Sequence, residues 1–214
     1  PPAVRTVVIE DAPELPVSSL QSHGRDVQGL RVEDDGDFSP AEALRTALRL
    51  GNGALVVGEV RGEEAPVLYE AMRVGANSEA VLGTIHGEGA AGVYDRIVSD
   101  LGVDPTAFGA TDLVVTLEIA PESDQPRRVG TVEEVADGES GQFEALFDRP
   151  DGPLRPTGCI DRGNSHLVAA LAEPAETYAE VRAALDRRQE RIEELASAKR
   201  TGPGAVTADR LEQQ

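Results

Sequence analysis

Residues 54–65, with the sequence ALVVGEVRGEEA, contain the change of pattern that decides the fold. The first four residues are apolar, as in a strand that is buried on both faces. Gly58 and Glu59 end this strand, and a helix is predicted over residues 63–74, with Gly75 as its C-cap. A buried strand that leads directly into a helix is typical of a parallel sheet covered by helices.

The same alternation of strands and helices extends on both sides of this stretch. A hydroxyl N-cap, a proline and a glutamate within residues 39–42 predict a helix that ends before Gly51. Residues 16–38 are polar and glycine-rich, which predicts a long loop with room for a helical turn or a small hairpin. We therefore expect an α/β fold with a mostly parallel sheet flanked by helices. Its further strands are predicted at residues 4–9, 81–85 and 113–117, and a further helix around residues 93–101.

The pattern changes after Pro121, where the strands alternate between apolar and polar residues. Two such segments, residues 128–135 and 142–148, predict a small two-stranded hairpin at the edge of the domain. Helices are predicted over residues 164–172 and 175–198. The expected organisation is a core over residues 1–120, a hairpin and helical region over residues 121–200, and a flexible tail over residues 201–214.

The charge of the chain excludes some classes of partner. Acidic residues number 39 against 20 basic ones, which gives a formal net charge of −19, and Lys199 is the single lysine. A protein that binds duplex DNA needs a cationic surface, so direct contact with nucleic acid is not expected. An excess of carboxylates with almost no lysine favours a halophilic host, because molar salt screens their repulsion. An ordinary acidic surface is the alternative.

The apolar and cysteine content is that of a protein with its own core in a reducing compartment. The hydrophobic fraction is 40% and the aromatic fraction only 3%, so the core is expected to consist of Val, Leu, Ile and Ala. No apolar run approaches the ~20 residues that a membrane span needs. The single cysteine, Cys159, excludes an internal disulfide and suits the cytoplasm.

Three ionisable residues each follow a predicted strand, at the point where the strand ends. Glu10 follows VVI, Glu59 follows VVG, and His86 follows GTI. The carboxyl ends of parallel strands lie along one edge of a sheet, so these side chains are expected to meet there. Two carboxylates and an imidazole can hold Mg²⁺ through water, orient an attacking water and contact a phosphate. Taken singly, each of these residues could equally be an ordinary exposed or hydrogen-bonded residue at the end of a strand, without a role in function.

At these residues the sequence resembles the type II/type IV secretion ATPases, in particular their archaeal pilus-assembly and secretion branch. Residues 6–15 (TVVIEDAPEL) resemble the acidic "Asp box" of that family. Residues 44–49 (LRTALR), which lead into residues 57–65 (VGEVRGEEA), resemble its Walker B segment. Residues 83–87 (GTIHG) resemble its "His box". The resemblance covers about residues 1–148.

The resemblance implies a hexameric RecA-like ATPase, part of a P-loop NTPase domain, that uses ATP and Mg²⁺ to power pilus assembly or secretion. Glu59 would be the Walker B carboxylate that orients water and the metal. Glu10 would be a second acid near the Mg²⁺, which both carboxylates would hold through water. His86 would contact the γ-phosphate region. The family pattern also implies nucleotide contacts at four further positions: Gly58, Arg61, Gly62 and Thr84.

The same resemblance implies the partners and the location of the protein. It would assemble as a homo-hexamer at the cytoplasmic face of the cell membrane. There it would dock on an integral membrane platform protein and act indirectly on pilin-like or secreted subunits, without direct contact to nucleic acid.

One element of such an ATPase is absent from the sequence. No G-x-x-x-x-G-K-[ST] string occurs, and Lys199 follows no glycine-rich loop. In the family this loop precedes the Asp box, so we expect the chain, which starts without Met, to be the C-terminal part of a longer ATPase and inactive alone. The alternatives are a non-catalytic assembly subunit of the same machinery and a relative that translocates DNA.

Overall fold

The computed structural model describes residues 4–33, 38–50, 53–73, 78–119, 127–150 and 152–198. They divide into two compact units. The N-terminal unit comprises the described residues of Pro2–Asp112 together with Asp137–Phe143. The C-terminal unit comprises those of Leu113–Ala136 and Glu144–Gln214. The predicted tail, residues 201–214, lies outside the described residues.

The N-terminal unit is built on a four-stranded parallel sheet, which confirms the predicted α/β fold with a parallel sheet flanked by helices. The strand order is β2-β1-β3-β4. Its middle strands are apolar because both faces are covered: Val7, Val8 and Ile9 of β1 are all buried. The strands are β1 (Arg5–Glu10), β2 (Val27–Arg31), β3 (Gly53–Val57) and β4 (Ser78–Gly83).

Helices occupy the connections between these strands, and their ends follow the capping residues in the sequence. The helix after Ser39 begins with a complete capping box, in which Ser39 and Glu42 each bond the other's backbone N–H. The next helix extends over Glu64–Arg73, within the predicted range 63–74, and its predicted C-cap, Gly75, lies outside the described residues. The helices of this unit are α1 (Val17–Ser22), α2 (Pro40–Arg49), α3 (Glu64–Arg73), α4 (Gly89–Asp95), the π-helical segment Arg96–Asp100 and α5 (Pro105–Phe108).

The predicted loop over residues 16–38 is wrong in part, because it contains the helix α1 and the sheet strand β2. β2 pairs in parallel with β1, from Thr6 opposite Val27 to Glu10 opposite Arg31, so it forms no hairpin. The sequence of this strand, VQGLR, gives little signal since Val27 is its one buried residue. Its place is fixed by backbone hydrogen bonds to β1 at the edge of the sheet, where apolar alternation is not required.

The strand predicted at residues 113–117 exists as β5 (Leu113–Ile119), but its assignment to the parallel sheet is wrong. β5 pairs antiparallel with β6 in a second four-stranded sheet of order β5-β6-β7-β8. Its apolar run misled the prediction because Val115 and Leu117 are exposed rather than covered on a second face. The predicted hairpin is likewise part of this sheet and not an isolated pair. The remaining strands are β6 (Arg127–Asp137), β7 (Gln142–Asp148) and β8 (Arg155–Pro156).

Two helices complete the C-terminal unit and confirm the predicted pair: α6 (His166–Ala170) and α7 (Tyr178–Ser197). The N-terminus of α6 is attached to β6 by Glu134, a carboxylate with no exposed surface. Glu134 accepts hydrogen bonds from Ser165 Oγ at 2.6 Å and from the backbone N–H groups of His166 and Leu167 at 2.9 and 3.0 Å. The buried charge is thereby satisfied by the donors that a helix N-terminus leaves unpaired.

Candidate active site at the carboxyl edge of the parallel sheet

Three neighbouring strands of the parallel sheet end side by side. Ile9 of β1 pairs with Val57 of β3, and Val57 pairs with Gly83 of β4. Glu10 is the last residue of β1, and Glu59 and His86 follow β3 and β4 closely. All three therefore lie at the same edge, as the spacing in the sequence predicts.

Glu59 is the centre of the polar contacts at this edge. Its Oε1 lies 3.1 Å from Nε2 of His86, and its Oε2 lies 3.4 Å from Nε of Arg61. The Glu59 side chain is 27% exposed, whereas that of His86 is 95% exposed. The carboxylate is thus partly sheltered and held between two nitrogen groups, while the imidazole extends into solvent with one edge turned to Glu59.

Arg61 joins the end of β1 to the segment that follows β3. Besides its contact with Glu59, its Nη2 donates a hydrogen bond to Oδ2 of Asp11. This bond, with a second one from the N–H of Ala12, lowers the pKa of the Asp11 carboxyl below its ordinary value. Asp11 is a site residue that the sequence reasoning did not single out, although it lies within the quoted residues 6–15. Its position directly after Glu10 was the available signal.

Glu10 has a different environment from Glu59. Its Oε2 accepts the backbone N–H groups of Glu14 and Leu15 at 3.1 and 3.0 Å, so the carboxylate shapes the turn that follows β1. Glu10 and Glu59 both line one cavity of about 300 Å³, which extends from the ends of β1 and β3 to the N-terminal residues of α2. The structure therefore places Glu10 on the same cavity as Glu59, and His86 beside Glu59.

The segments after β3 and β4 are bonded to each other by the threonine that the family pattern singles out. Thr84 Oγ1 donates to the carbonyl oxygen of Gly58, and the N–H of Val60 donates to the carbonyl oxygen of Thr84 at 2.8 Å. A methyl group added at Gly58 would come within 3.2 Å of the carbonyl oxygen of Ile9. Close packing against β1 is thus sufficient reason for glycine at this position.

The carboxylates of this edge fit one way of binding a metal ion. Mg²⁺ usually keeps several waters and takes only one or two carboxylates. Glu10 and Glu59 on a shared cavity suit that mode, whereas no group of three or more His, Cys, Asp or Glu side chains in the described part of the chain is arranged as a direct metal cage. Within the same described residues, no helix combines the length and the apolar character that crossing a membrane requires.

A sequence model of type II/IV secretion system proteins matches residues 2–199. The chain belongs to this family. The resemblance seen in the quoted segments is thereby confirmed over nearly the whole chain. The uncharacterized protein MJ1287 of Methanocaldococcus jannaschii is 34% identical over 97 residues, which are 45% of this chain. The chain spans 35% of the length of that relative.

One solved structure supports the fold of this secretion-family chain. The VirB11 ATPase of the Brucella suis type IV secretion system, crystallised with sulphate, superimposes with a TM-score of 0.51 at 19% identity. The match covers 65% of this chain and 42% of VirB11. The Legionella pneumophila ATPase DotB gives a TM-score of 0.45 at 19% identity, over 59% of this chain and 35% of DotB. At such identity the VirB11 match shows a shared fold.

Proposed function

We propose that this chain forms the water-activating edge of an ATPase that powers type IV pilus assembly or type II/IV secretion. The observation that carries the proposal is Glu59, a partly sheltered carboxylate between His86 and Arg61 in a chain of the secretion family. The structural neighbour VirB11 is described as an ATPase, which supports the reaction class.

In this mechanism Glu59 orients the water that attacks the γ-phosphate of ATP. Its limited exposure favours this role, because a carboxylate that is partly removed from solvent holds a water in a fixed direction. His86 extends into solvent beside it and would contact the phosphate end of the substrate. Glu10 and Glu59 would hold Mg²⁺ through water, and the ion supplies positive charge to the phosphate oxygens.

The groups that cradle the phosphates would come from a segment outside the present sequence, which contains no G-x-x-x-x-G-K-[ST] string. Gly58, Arg61, Gly62 and Thr84 would support the nucleotide from the Walker B side. The whole protein would act as a homo-hexamer at the cytoplasmic face of the membrane, docked on a membrane platform protein and coupled indirectly to pilin-like or secreted subunits.

Steady-state ATP hydrolysis by the full-length protein tests this proposal. Glu59→Gln removes the charge that orients water and keeps the shape of the side chain, so turnover should fall by on the order of 10²-fold or more while ATP still binds. The matched control is Glu70→Gln, the same change at an exposed helix residue 58% accessible to solvent. Undiminished hydrolysis by Glu59→Gln would refute the role of Glu59. A full-length protein that binds no ATP would instead be a non-catalytic assembly subunit.

A further inference from the structure

The segment that carries Glu59 and Arg61 is held from the helix side by a second glutamate, Glu64. Glu64 is the first residue of α3 and is only 6% exposed. Its Oε1 accepts the backbone N–H of Arg61 at 2.5 Å and that of Gly62 at 3.0 Å. The sequence cannot distinguish this residue from Glu63, its identical neighbour, but the structure does, because Glu63 is exposed.

Burial of a carboxylate costs free energy unless the group is hydrogen-bonded, so the two bonds from Arg61 and Gly62 are what allow Glu64 to be buried. Bonds from N–H groups to an ionised carboxylate are stronger than those between neutral partners. The carboxylate also lies at the N-terminal end of a ten-residue helix, where negative charge is favourable. Glu64 is therefore a stiff anchor for the backbone of Arg61 and Gly62.

The same short segment is anchored on its other side by Thr84, the residue that follows β4. Val60, the residue before Arg61, donates its backbone N–H to the carbonyl oxygen of Thr84. With the backbone fixed on both sides, the Arg61 guanidinium reaches Asp11 and lies 3.4 Å from Glu59. A change in the backbone of Arg61 would move this guanidinium, and Glu59 would lose one of its two neighbouring nitrogen groups.

We infer that Glu64 is a positioning residue: its carboxylate fixes the backbone at Arg61 and Gly62 and thereby holds Glu59 in the orientation that activates water. This inference rests on the proposed function in one respect, namely that Glu59 orients the attacking water. Glu64 itself faces the backbone and acts through Glu59 and Arg61.

The test is steady-state ATP hydrolysis by the full-length protein and three variants of Glu64. Glu64→Ala removes the acceptor and should lower kcat about tenfold to a hundredfold with KM for ATP little changed, because displacement of a reacting group by ~1 Å costs rates of this order. Glu64→Gln keeps an acceptor oxygen in place and should restore most of the lost kcat. Glu70→Ala, a control at an exposed glutamate of the same helix and away from the cavity, should behave as wild type.

A folding defect of Glu64→Ala is separated from a positioning defect by Glu64→Asp. Aspartate keeps the buried charge but withdraws the oxygens from the two N–H groups by one methylene, so kcat should fall here too. Thermal unfolding followed by circular dichroism reports whether each variant is folded. Wild-type kcat in the folded Glu64→Asp and Glu64→Ala variants would overturn the inference.

A double-variant cycle with Glu59→Gln shows whether Glu64 acts through Glu59. If it does, adding Glu64→Ala to Glu59→Gln lowers kcat no further. Losses that multiply, or a loss that appears in KM instead of kcat, would overturn the positioning role. Failure of the proposed function has a different signature, since either the wild-type protein would not hydrolyse ATP or Glu59→Gln would remain active.

Discussion

Replacing Glu134 with alanine removes a buried carboxylate that joins α6 to the second sheet. In the wild-type protein this fully buried side chain accepts three hydrogen bonds, from Ser165 Oγ and from the N–H groups of His166 and Leu167. Alanine offers no acceptor, so these donors lose their partner. Ser165 keeps a second bond, in which its Oγ accepts the N–H of Val168.

The expected cost follows from the number of donors left without an acceptor. Each buried group without a partner costs about 1–3 kcal/mol, and water that enters the vacated space recovers part of this. The net loss in free energy of unfolding should therefore be about 3–6 kcal/mol. For a chain of this length each 1 kcal/mol lowers Tm by roughly 2–4 °C, so a decrease of roughly 6–24 °C is expected.

The assay is urea and thermal unfolding followed by circular dichroism, with two comparison variants. Glu144→Ala removes an exposed glutamate from β7 of the same sheet and should change the free energy of unfolding by less than about 0.5 kcal/mol. Glu134→Gln keeps one acceptor oxygen and should lie between the two. If Glu134→Ala unfolds at the same urea concentration as Glu144→Ala, the three bonds do not hold α6 on the sheet.

Two further predictions concern the edge that carries Glu59. Gly87→Ala places a new methyl group 2.9 Å from Val93 Cγ2, which should push the loop that holds His86 outward. ATP turnover of the full-length protein should therefore fall, while Tm changes little. Turnover equal to wild type would show that this loop yields without moving His86. Asp11→Asn should reduce the free energy of unfolding by less than about 1 kcal/mol at neutral pH, since the Arg61 pair is largely exposed. Because the pKa of Asp11 is lowered in the folded state, its contribution to the free energy of unfolding is full above the ordinary pKa of 3.8 and disappears as the pH falls through the lowered pKa. A difference between Asp11→Asn and wild type that persists in stronger acid would contradict this prediction.

The sequence was sufficient to predict those features that depend on neighbouring residues or on the direction of the strands. The Ser39-Pro40 start predicted α2 because a capping box needs only residues that are neighbours in the chain. The meeting of Glu59 with His86 was predictable for a related reason, since parallel strands bring their carboxyl ends to one edge whatever the details of packing. The first prediction depends on local capping residues and the second on the topology of the sheet, and neither requires knowledge of the side-chain packing.

Signals failed where the outcome depends on what covers a segment. The apolar run of β5 reads as a strand buried on both faces, yet its neighbour is the antiparallel strand β6 and alternate side chains are exposed. The opposite error concerns β2, which was not predicted as a strand because its sequence is largely polar, although it is a parallel edge strand of the sheet. Glu63 and Glu64 show the same limit at one residue, because only the fold decides which of two identical side chains turns inward.

The charge distribution at the sheet edge explains why water activation and phosphate binding belong to different segments in our proposal. Arg61 is engaged by Asp11 and by Glu59, so its positive charge is largely balanced by carboxylates of the same edge. A triphosphate brings several negative charges and requires donors that are not already neutralised in this way. A carboxylate that orients water is served by the opposite arrangement, with a nearby arginine that holds it in place. In our proposal the described edge therefore serves the attacking water, and a donor-rich loop that is not among its residues cradles the phosphates.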